Sequence, residues 1–308
     1  MTSPILLPSH IEIVEVGPRD GLQNESTVLS TETKLEFIQR ALSAGLRRIE
    51  VASFVNPKRV PTMADAEAVL AGLRQYPDLQ SIGLVLNVKG FERAAAAGCH
   101  EIGMAVVASD TFNQRNQGAT TQESIVAWLD IAARARAAGL RYQVTISAAF
   151  GCPFEGEVPI ERVIDIAKQV AQAQPIEIAV ADTIGVAVPT QVTELVSRLR
   201  EALPGMPIRG HFHNTRNTGL ANAYAAVAAG VATLDASIGG FGGCPFAPAA
   251  TGNVPTEDVI YLMSRMGIQT GINLDRLIDT AHWLSDRLGR PVPGALSKAG
   301  SFPGARAA

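Results

Sequence analysis

Residues 207–230 read PIRGHFHNTRNTGLANAYAAVAAG, and the fold can be predicted from the way this stretch is built. Pro207–His211 is a short run of the kind that forms a buried strand, and Leu220–Ala229 has the apolar spacing of a helix. Ala228-Ala229-Gly230 ends that helix, because glycine adopts the left-handed conformation that stops a helix without a Cβ penalty. The stretch therefore predicts one strand followed by one helix.

The same strand–helix order recurs eight times along the chain. The predicted strands are Glu12–Val16, Arg48–Ala52, Ile82–Leu86, Glu101–Val107, Arg141–Ser147, Ile176–Ala181, Pro207–His211 and Thr233–Ile238. The predicted helices are Thr31–Ala44, Ala64–Gln75, Gly90–Ala97, Gln122–Ala138, Ile160–Gln174, Thr190–Ala202, Leu220–Ala229 and Thr256–Met266. Each helix returns the chain to the start of the next strand, so the strands are expected to be parallel. Eight units of about 33 residues predict an α/β fold of the (β/α)8 TIM-barrel type.

No linker rich in proline and glycine divides this series, which favours a single catalytic domain over residues 1–289. Asn273–Leu288 predicts a further helix outside the eightfold series, so the barrel is expected to carry a C-terminal helical extension. Residues 290–308, which contain Pro291, Pro293 and Pro303, are expected to form a flexible tail. We also expect a homo-oligomer, a dimer, for which the Asn273–Leu288 helix is a candidate interface.

The composition excludes several classes of protein. Lysine and arginine number 26 against 29 aspartates and glutamates, so there is no basic excess for nucleic acid to recognise. No apolar run approaches the ~18 residues that a membrane span needs, and Met1–His10 lacks the features of a signal peptide. Three cysteines are too few for a disulfide framework and indicate a reducing compartment. We therefore expect a cytoplasmic enzyme without nucleic-acid or membrane partners.

Polar residues gather where the predicted strands end, which is the face of a TIM barrel that carries active sites. They are Arg19, Asp20 and Gln23 after strand 1, Glu50 and Ser53 on strand 2, Asp182 on strand 6, His211 and His213 on strand 7, and Cys244 and Asn253 after strand 8. Histidines two residues apart on a strand point to the same side, about 6.6 Å apart along the chain. With Asp20 opposite them and the amide oxygen of Asn253, they form a mixed nitrogen and oxygen set that suits Mg²⁺, Mn²⁺ or another divalent ion.

The remaining polar residues each have two interpretations. Arg19 is either a salt-bridge partner of Asp20 or a fixed cation for a developing oxyanion, and Glu50 is a candidate partner that holds it. Asp182 is either a catalytic carboxylate or a helix cap.

Gln23 and Ser53 either bind substrate or bond the loop backbone. Cys244 lies in a glycine-rich segment, where a cysteine on a mobile lid could exchange a proton with substrate. A small buried apolar residue is the alternative interpretation of a cysteine, and it fits Cys99 and Cys152 better.

Six segments together resemble a known family. They are EVGPRDGLQNE at 15–25, IEVASFVNPKRVP at 49–61, GCPFEG at 151–156, DTIGV at 182–186, HFHNT at 211–215 and GGCPFAPAATGN at 242–253. In this order they resemble the 3-hydroxy-3-methylglutaryl-CoA (HMG-CoA) lyases, which are TIM-barrel metallolyases, and the resemblance covers about Ile11 to Leu274.

The resemblance implies an acyl-CoA thioester substrate and the cleavage of HMG-CoA to acetyl-CoA and acetoacetate. It also implies a divalent metal held by Asp20, His211, His213 and Asn253. Arg19 would stabilise the enolate with Glu50 behind it, Cys244 would serve as the catalytic acid/base, and Asp182 would stand near the substrate hydroxyl.

The sequence departs from those lyases at positions that bear on the acyl group. Asn214 replaces an aspartate, Arg216 falls where a tyrosine stretch would be expected, Thr145 stands where a strand-5 tyrosine is common, and Ser26 replaces a lysine. Changed polar groups near a pocket discriminate strongly between substrates. A lyase of a related thioester, such as citramalyl-CoA giving pyruvate and acetyl-CoA, is therefore an alternative, as is a catalytically silent barrel that acts as a binding subunit.

Overall fold

The computed structural model describes residues 7–243 and 252–302, and its centre is a closed barrel of eight parallel strands. The strands are β1 (Glu12–Glu15), β2 (Arg48–Ser53), β3 (Gln80–Val85), β4 (Glu101–Val107), β5 (Arg141–Ser147), β6 (Ile178–Asp182), β7 (Ile208–Phe212) and β8 (Thr233–Ala236). Neighbours in the barrel are neighbours in the chain, and β8 closes onto β1 with Glu12 opposite Thr233. The predicted (β/α)8 TIM barrel is confirmed.

Helices cover the outside of the barrel. Their bounds are α1 (Thr31–Ser43), α2 (Ala66–Leu73), α3 (Val88–Ala97), α4 (Asp110–Gln117), α5 (Thr121–Ala137), α6 (Ile160–Ala171), α7 (Pro189–Ala202), α8 (Gly219–Ala228), α9 (Thr256–Arg265), α10 (Leu274–Leu288) and α11 (Leu296–Ala299). Their starts follow the capping residues: the Ser30 side chain accepts the Thr33 N–H, and Thr120 and Glu123 form a capping box. No helix among the described residues is long and apolar enough to cross a membrane.

The α10 helix occupies the predicted Asn273–Leu288 segment and packs on the barrel. Leu277, Ala281 and Leu284 are fully buried, and the Trp283 ring lies 6.3 Å from the ring of Phe37 on α1. The apolar face that we considered as a dimer interface is therefore covered by the chain itself.

Within its described part, the segment that we expected to be a flexible tail is packed against the barrel. Val292 is only 3% exposed and lies against Gly239. The carboxylate of Asp258 accepts the N–H groups of Ala295 and Leu296, which begin α11. The expectation of a loose tail is wrong for residues 290–302, because one buried valine and one capping aspartate are enough to hold a short segment rich in proline and glycine.

Candidate active site

A cavity of about 370 Å³ opens at the carboxyl ends of the barrel strands. Six of the residues singled out in the sequence line it: Arg19, Asp20, Gln23, Glu50, His211 and His213. Thr145, Arg209 and Asp235 also line it. The barrel thus brings residues from the first and the last third of the chain to one pocket.

A π-helical turn, Gly17–Gly21, presents Arg19 and Asp20 to this cavity directly after β1. The carbonyl of Val16 accepts the N–H groups of Arg19 and Asp20 at 3.1 and 2.8 Å. A Cβ at Gly17 would lie 2.5 Å from Oε1 of Glu15, which accepts the Gly17 N–H at 2.9 Å. The turn therefore requires glycine at its first position, since Glu15 braces it from inside the barrel.

The guanidinium of Arg19 is held between two carboxylates. Its Nη1 lies 2.7 Å from Oδ1 of Asp20, and its Nη2 lies 2.6 Å from Oε2 of Glu50 on β2. The Arg19 side chain is only 13% exposed, so this is not a solvated surface pair. Both partners fix the direction in which the cation faces the cavity.

Asp20, His211 and His213 offer ligand atoms that all lie within 4.8 Å of one another, so the three residues could hold a metal ion. The two imidazole rings are 5.2 Å apart, and Nε2 of His213 is 3.8 Å from Oδ2 of Asp20. Nδ1 of His213 is buried and has no hydrogen-bond partner in the part of the chain that the structure describes. Two imidazoles and a carboxylate with one nitrogen left unpaired are the donor set that a divalent ion uses.

Asn253 is brought beside these ligands by a short extended segment. His213 and Asn253 form an antiparallel bridge, and Ser237 pairs with Pro255, so the segment joins the ends of β7 and β8. The Asn253 amide nitrogen donates to Oδ2 of Asp20 at 2.8 Å. The structure thus places the fourth predicted ligand next to the other three.

In two chains of buried ion pairs at and below the cavity, carboxylates outnumber guanidinium groups by two in total. One chain of ion pairs contains Asp20, Arg19 and Glu50, and a second contains Asp235, Arg209, Glu177, Arg48 and Glu101. Each chain has one carboxylate more than it has guanidinium groups. A divalent cation at the ligand cluster would balance this excess, which fits the donor set.

The protonation states also suit a cation site. Burial opposes ionisation of Asp20, but Arg19 and the two histidines hold its pKa at about 2. Burial and, after it, the neighbouring His211 lower the pKa of His213 to about 4, so its imidazole is neutral at pH 7. An ionised carboxylate and a neutral imidazole are the forms that bind metal.

Asp235 on β8 was not among the site residues predicted from the sequence. Its Oδ2 lies 3.0 Å from Nδ1 of His211, and the two residues are register partners on neighbouring strands. Strand alternation offered a signal, since Thr233, Asp235 and Ser237 point to the same side of β8. That alternation identifies Asp235 as a site residue only once its register partner on β7, His211, is known.

The carboxylate of Asp182 is engaged by the backbone. Its two oxygens accept the N–H groups of Val186 and Ala187 at 2.8 and 3.0 Å, in the loop that leads to α7. Asp182 is 1% exposed. This geometry corresponds to the capping interpretation, although the cap is made to the loop and not to the first turn of the helix.

Two of the three predicted substrate-binding residues, Gln23 and Ser53, bond to each other, and the third is Arg19. The Ser53 hydroxyl donates to Oε1 of Gln23 at 2.9 Å, and Gln23 lines the cavity while Ser53 is fully buried behind it. Cys244 lies outside the described residues. The structure follows the chain up to Gly243, whose carbonyl accepts the amide N–H of Asn24 at 2.9 Å.

Of the four positions where the chain departs from the lyases it resembles, which are Ser26, Thr145, Asn214 and Arg216, only Thr145 lines the cavity, and Ser26 is exposed. The Asn214 amide oxygen accepts the N–H of Gly219, which begins α8. Arg216 donates to the carbonyls of Ile184 and Gly185. These two substitutions therefore support loops, and Thr145 is the one that can meet an acyl group.

Known proteins share this arrangement over nearly the whole chain. The HMGL-like family matches residues 10–284. The chain belongs to the HMGL-like family.

An (R)-citramalyl-CoA lyase of Chloroflexus aurantiacus is 46% identical over 300 residues, with 94% of this chain and 95% of that protein covered. A hydroxymethylglutaryl-CoA lyase of Bacillus subtilis is 39% identical over 286 residues, with 93% of this chain and 96% of that protein covered.

Solved structures agree. The Bacillus subtilis HMG-CoA lyase superposes with a TM-score of 0.92 at 38% identity, with 95% of this chain and 98% of that chain covered. An Acinetobacter baumannii HMG-CoA lyase, in complex with coenzyme A and 3-methylmalate, gives 0.91 at 37% identity and covers 98% of both chains. The resemblance drawn from the six sequence segments is confirmed.

Proposed function

We propose that the protein is a metal-dependent carbon–carbon lyase that cleaves HMG-CoA to acetyl-CoA and acetoacetate. The observation that carries the proposal is the cluster of Asp20, His211 and His213 beside the clamped guanidinium of Arg19 in one cavity. The relatives named as HMG-CoA lyases, at 38–39% identity over most of the chain, support the same reaction.

In this proposal Asp20, His211, His213 and the amide oxygen of Asn253 hold a divalent ion, Mg²⁺ or Mn²⁺. The bound ion supplies Lewis-acid chemistry, which lowers the pKa of the substrate hydroxyl and orients it. The neutral imidazole of His213 and the ionised Asp20 need no change of protonation to receive it.

The chain's own residues stabilise the developing negative charge and transfer the protons. Cys244, acting first as the thiolate, takes the proton of the C3 hydroxyl, a C3 carbonyl forms, and the C2–C3 bond breaks with its electron pair moving into the thioester enolate. Arg19, fixed by Glu50, stabilises the enolate oxygen, and Cys244 delivers the proton that converts C2 to the methyl group of acetyl-CoA. Asp182 contributes by holding the loop that carries Thr183 into the cavity.

Citramalyl-CoA is a second candidate substrate, favoured by the 46% identity to an (R)-citramalyl-CoA lyase and by Thr145 in the cavity. Its carboxylate is attached directly to the carbinol carbon, whereas HMG-CoA has a methylene between the two. A single methylene is worth roughly 10- to 200-fold in discrimination. The same residues would cleave it to pyruvate and acetyl-CoA.

Side-by-side turnover of the two thioesters with Mg²⁺ or Mn²⁺, measured as released acetyl-CoA, tests the proposal. We expect cleavage of HMG-CoA that EDTA abolishes. His213→Ala should lose most of this activity. The control His10→Ala should keep it, because His10 is an exposed histidine before β1. Faster cleavage of citramalyl-CoA would transfer the assignment to the second candidate. No cleavage of either, with no binding of a divalent ion, would support the silent binding subunit.

We also propose that the enzyme is a cytoplasmic homodimer. The bacterial relative from Bacillus subtilis supports the location. Sedimentation of the purified protein measures the oligomeric state, and a monomer would contradict the dimer.

A further inference from the structure

The buried guanidinium of Arg209 lies beneath His211. Arg209 is neither a predicted metal ligand nor a residue of the proposed reaction. Arg209 precedes His211 by two residues on β7, so both side chains point into the barrel, with Arg209 one layer deeper. Arg209 is 3% exposed and lines the inner part of the cavity. A buried charge is retained in a core only where its partners are fixed.

We propose that Arg209 is a positioning residue that, through Asp235, fixes the tautomer and orientation of His211 for metal binding. The inference rests on the proposed function to the extent that His211 is a metal ligand. It adds a residue from the barrel core to the machinery of the site.

Contacts on three sides hold the guanidinium of Arg209. Its Nη1 lies 3.0 Å from Oε1 of Glu177, and its Nη2 donates to Oε1 of Gln143 at 2.8 Å. Its Nε lies 3.3 Å from Oδ1 of Asp235, an ion-pair contact in which neither atom makes a hydrogen bond to the described residues. The partners come from β5, β8 and the residue before β6, so the planar group cannot turn without breaking contacts to several strands.

Asp235 connects Arg209 to the predicted metal ligand His211. One of its oxygens faces Arg209, and the other lies 3.0 Å from Nδ1 of His211. An ionised carboxylate is an acceptor only, so in the neutral form of His211 the nitrogen facing Asp235, Nδ1, carries the proton and Nε2 carries the lone pair. Nε2 is then the atom that can bind an ion, as in carboxylate–histidine–metal arrangements in general.

His213 provides an internal contrast. Its Nδ1 has no hydrogen-bond partner among residues 7–243 and 252–302, so within them nothing comparable fixes its ring from behind. The two histidines of the cluster therefore differ in how they are held, and the arginine–aspartate pair acts on His211.

The chain also contains a matched control. Arg48 is likewise 3% exposed, and its Nη2 lies 2.6 Å from the same Oε1 of Glu177. Its other partners are Glu101 and Glu12, and it makes no contact with Asp235. Arg209→Met and Arg48→Met therefore remove the same charge and one ion pair to Glu177, and both charges attract Asp235, but only the first variant removes a direct contact to Asp235.

The test compares these two variants with wild type by calorimetric titration of Mn²⁺ without substrate, and by ¹⁵N NMR of the histidine side chains in metal-free protein. We expect Arg209→Met to weaken Mn²⁺ binding about tenfold and to give a mixture of His211 tautomers. We expect Arg48→Met to keep the Nδ1–H tautomer and to change the affinity by less than about twofold. Both variants should melt at a lower temperature than wild type, because each leaves a buried carboxylate short of a partner.

Equal loss of affinity in the two variants would overturn the proposal, since Arg209 would then be merely structural. An unchanged tautomer in Arg209→Met would overturn it as well. Should Arg209→Met not fold, Arg209→Lys keeps the charge but cannot make all three contacts, and an affinity and tautomer equal to wild type would contradict the proposal. Wild type that binds no Mn²⁺ but shows the fixed tautomer would refute the proposed metal function and leave the positioning role standing.

Discussion

The guanidinium group of Arg19 is held in one orientation before any substrate binds. Asp20 and Glu50 hold its two terminal nitrogens at 2.7 and 2.6 Å. A preorganised charge of this kind acts mainly on the charge that develops in the transition state. The effect of removing it should therefore appear in turnover more than in binding.

For Arg19→Met we expect kcat to fall by about 10²–10³ with KM and metal affinity changed far less. Steady-state kinetics with Mn²⁺ titration measures both. Arg40→Met serves as the control, because Arg40 pairs with Glu36 on the outside of α1. A lower melting temperature with normal turnover of the folded fraction would assign Arg19 a purely structural role.

Glu257 is a buried carboxyl beneath the turn Ile238–Gly240 that follows β8. Its Oε2 accepts the Gly239 N–H at 2.9 Å, and its Oε1 has no partner. Burial raises the pKa of Glu257 to about 8. In the unfolded chain the pKa is close to 4.5, so between about pH 5 and pH 8 the folded state holds a proton that the unfolded state has lost.

The free energy of unfolding should therefore fall as pH rises through this window, by up to roughly 1.4 kcal/mol per pH unit from this group. Glu257→Gln, which stays neutral, should flatten the profile and be the more stable protein at pH 8. Melting temperatures at five or six pH values test this. A residual slope is expected from Glu15, whose pKa burial raises to about 7, and slopes equal to wild type would contradict the assignment.

The sequence located the ligand cluster but not its support. His211 and His213 have a spacing that predicts a shared side, and Asp20 follows a strand end, so their meeting could be anticipated. Arg209 and Asp235 lie inside strands, where alternation indicates the side that a polar residue faces but not the partner that it meets. Their role depends on which residues face them across the barrel, and register is a property of the closed sheet.

At the scale of elements, the strands were predicted to within one or two residues and α4 was missed. Its sequence, DTFNQRNQ, has no apolar periodicity, and only Phe112 and Asn113 in it are buried. Ser109 accepts the Phe112 N–H and Gly118 ends the helix with φ of 74°. Capping residues were the signal available for a helix without an apolar stripe.

The segment 290–302 is the element whose behaviour differs most from expectation, and it makes a prediction. Val292 packs on Gly239, and the Gly294 N–H donates to the Gly239 carbonyl at 3.0 Å, beside the turn that leads to Phe241. Val292→Ala should lower the free energy of unfolding by about 1–2 kcal/mol, because it opens a cavity in this contact.

Denaturant unfolding measures that difference. Val28→Ala is the matched control, since Val28 is 59% exposed and its truncation should change stability by less than about 0.5 kcal/mol. Equal effects of the two substitutions would mean that the 290–302 segment detaches without cost.

At the scale of the whole molecule, the site joins distant parts of the chain. Asp20 follows β1, whereas His211 and His213 come from the end of β7, and Asn253 lies beyond β8. No local segment contains the complete set, so the unfolded chain cannot reproduce the site. An ion bound there stabilises the folded barrel and has little affinity for the unfolded chain.

Saturation with Mn²⁺ at about 100 times its dissociation constant should therefore add roughly 2.7 kcal/mol to the free energy of unfolding. For a chain of 308 residues this corresponds to a rise in melting temperature of about 4 °C over the protein in EDTA. Scanning calorimetry of wild type, Asp20→Ala and Asp130→Ala measures it. Asp130 is an exposed carboxylate paired with Arg134 on α5, so its variant should keep the full rise, while Asp20→Ala should lose most of it. A rise of the same size in Asp20→Ala would mean that the ion binds elsewhere. Among the described residues, Asp20 is the one carboxylate that forms a metal-binding cluster with His211 and His213, so the site should not hold the ion without it.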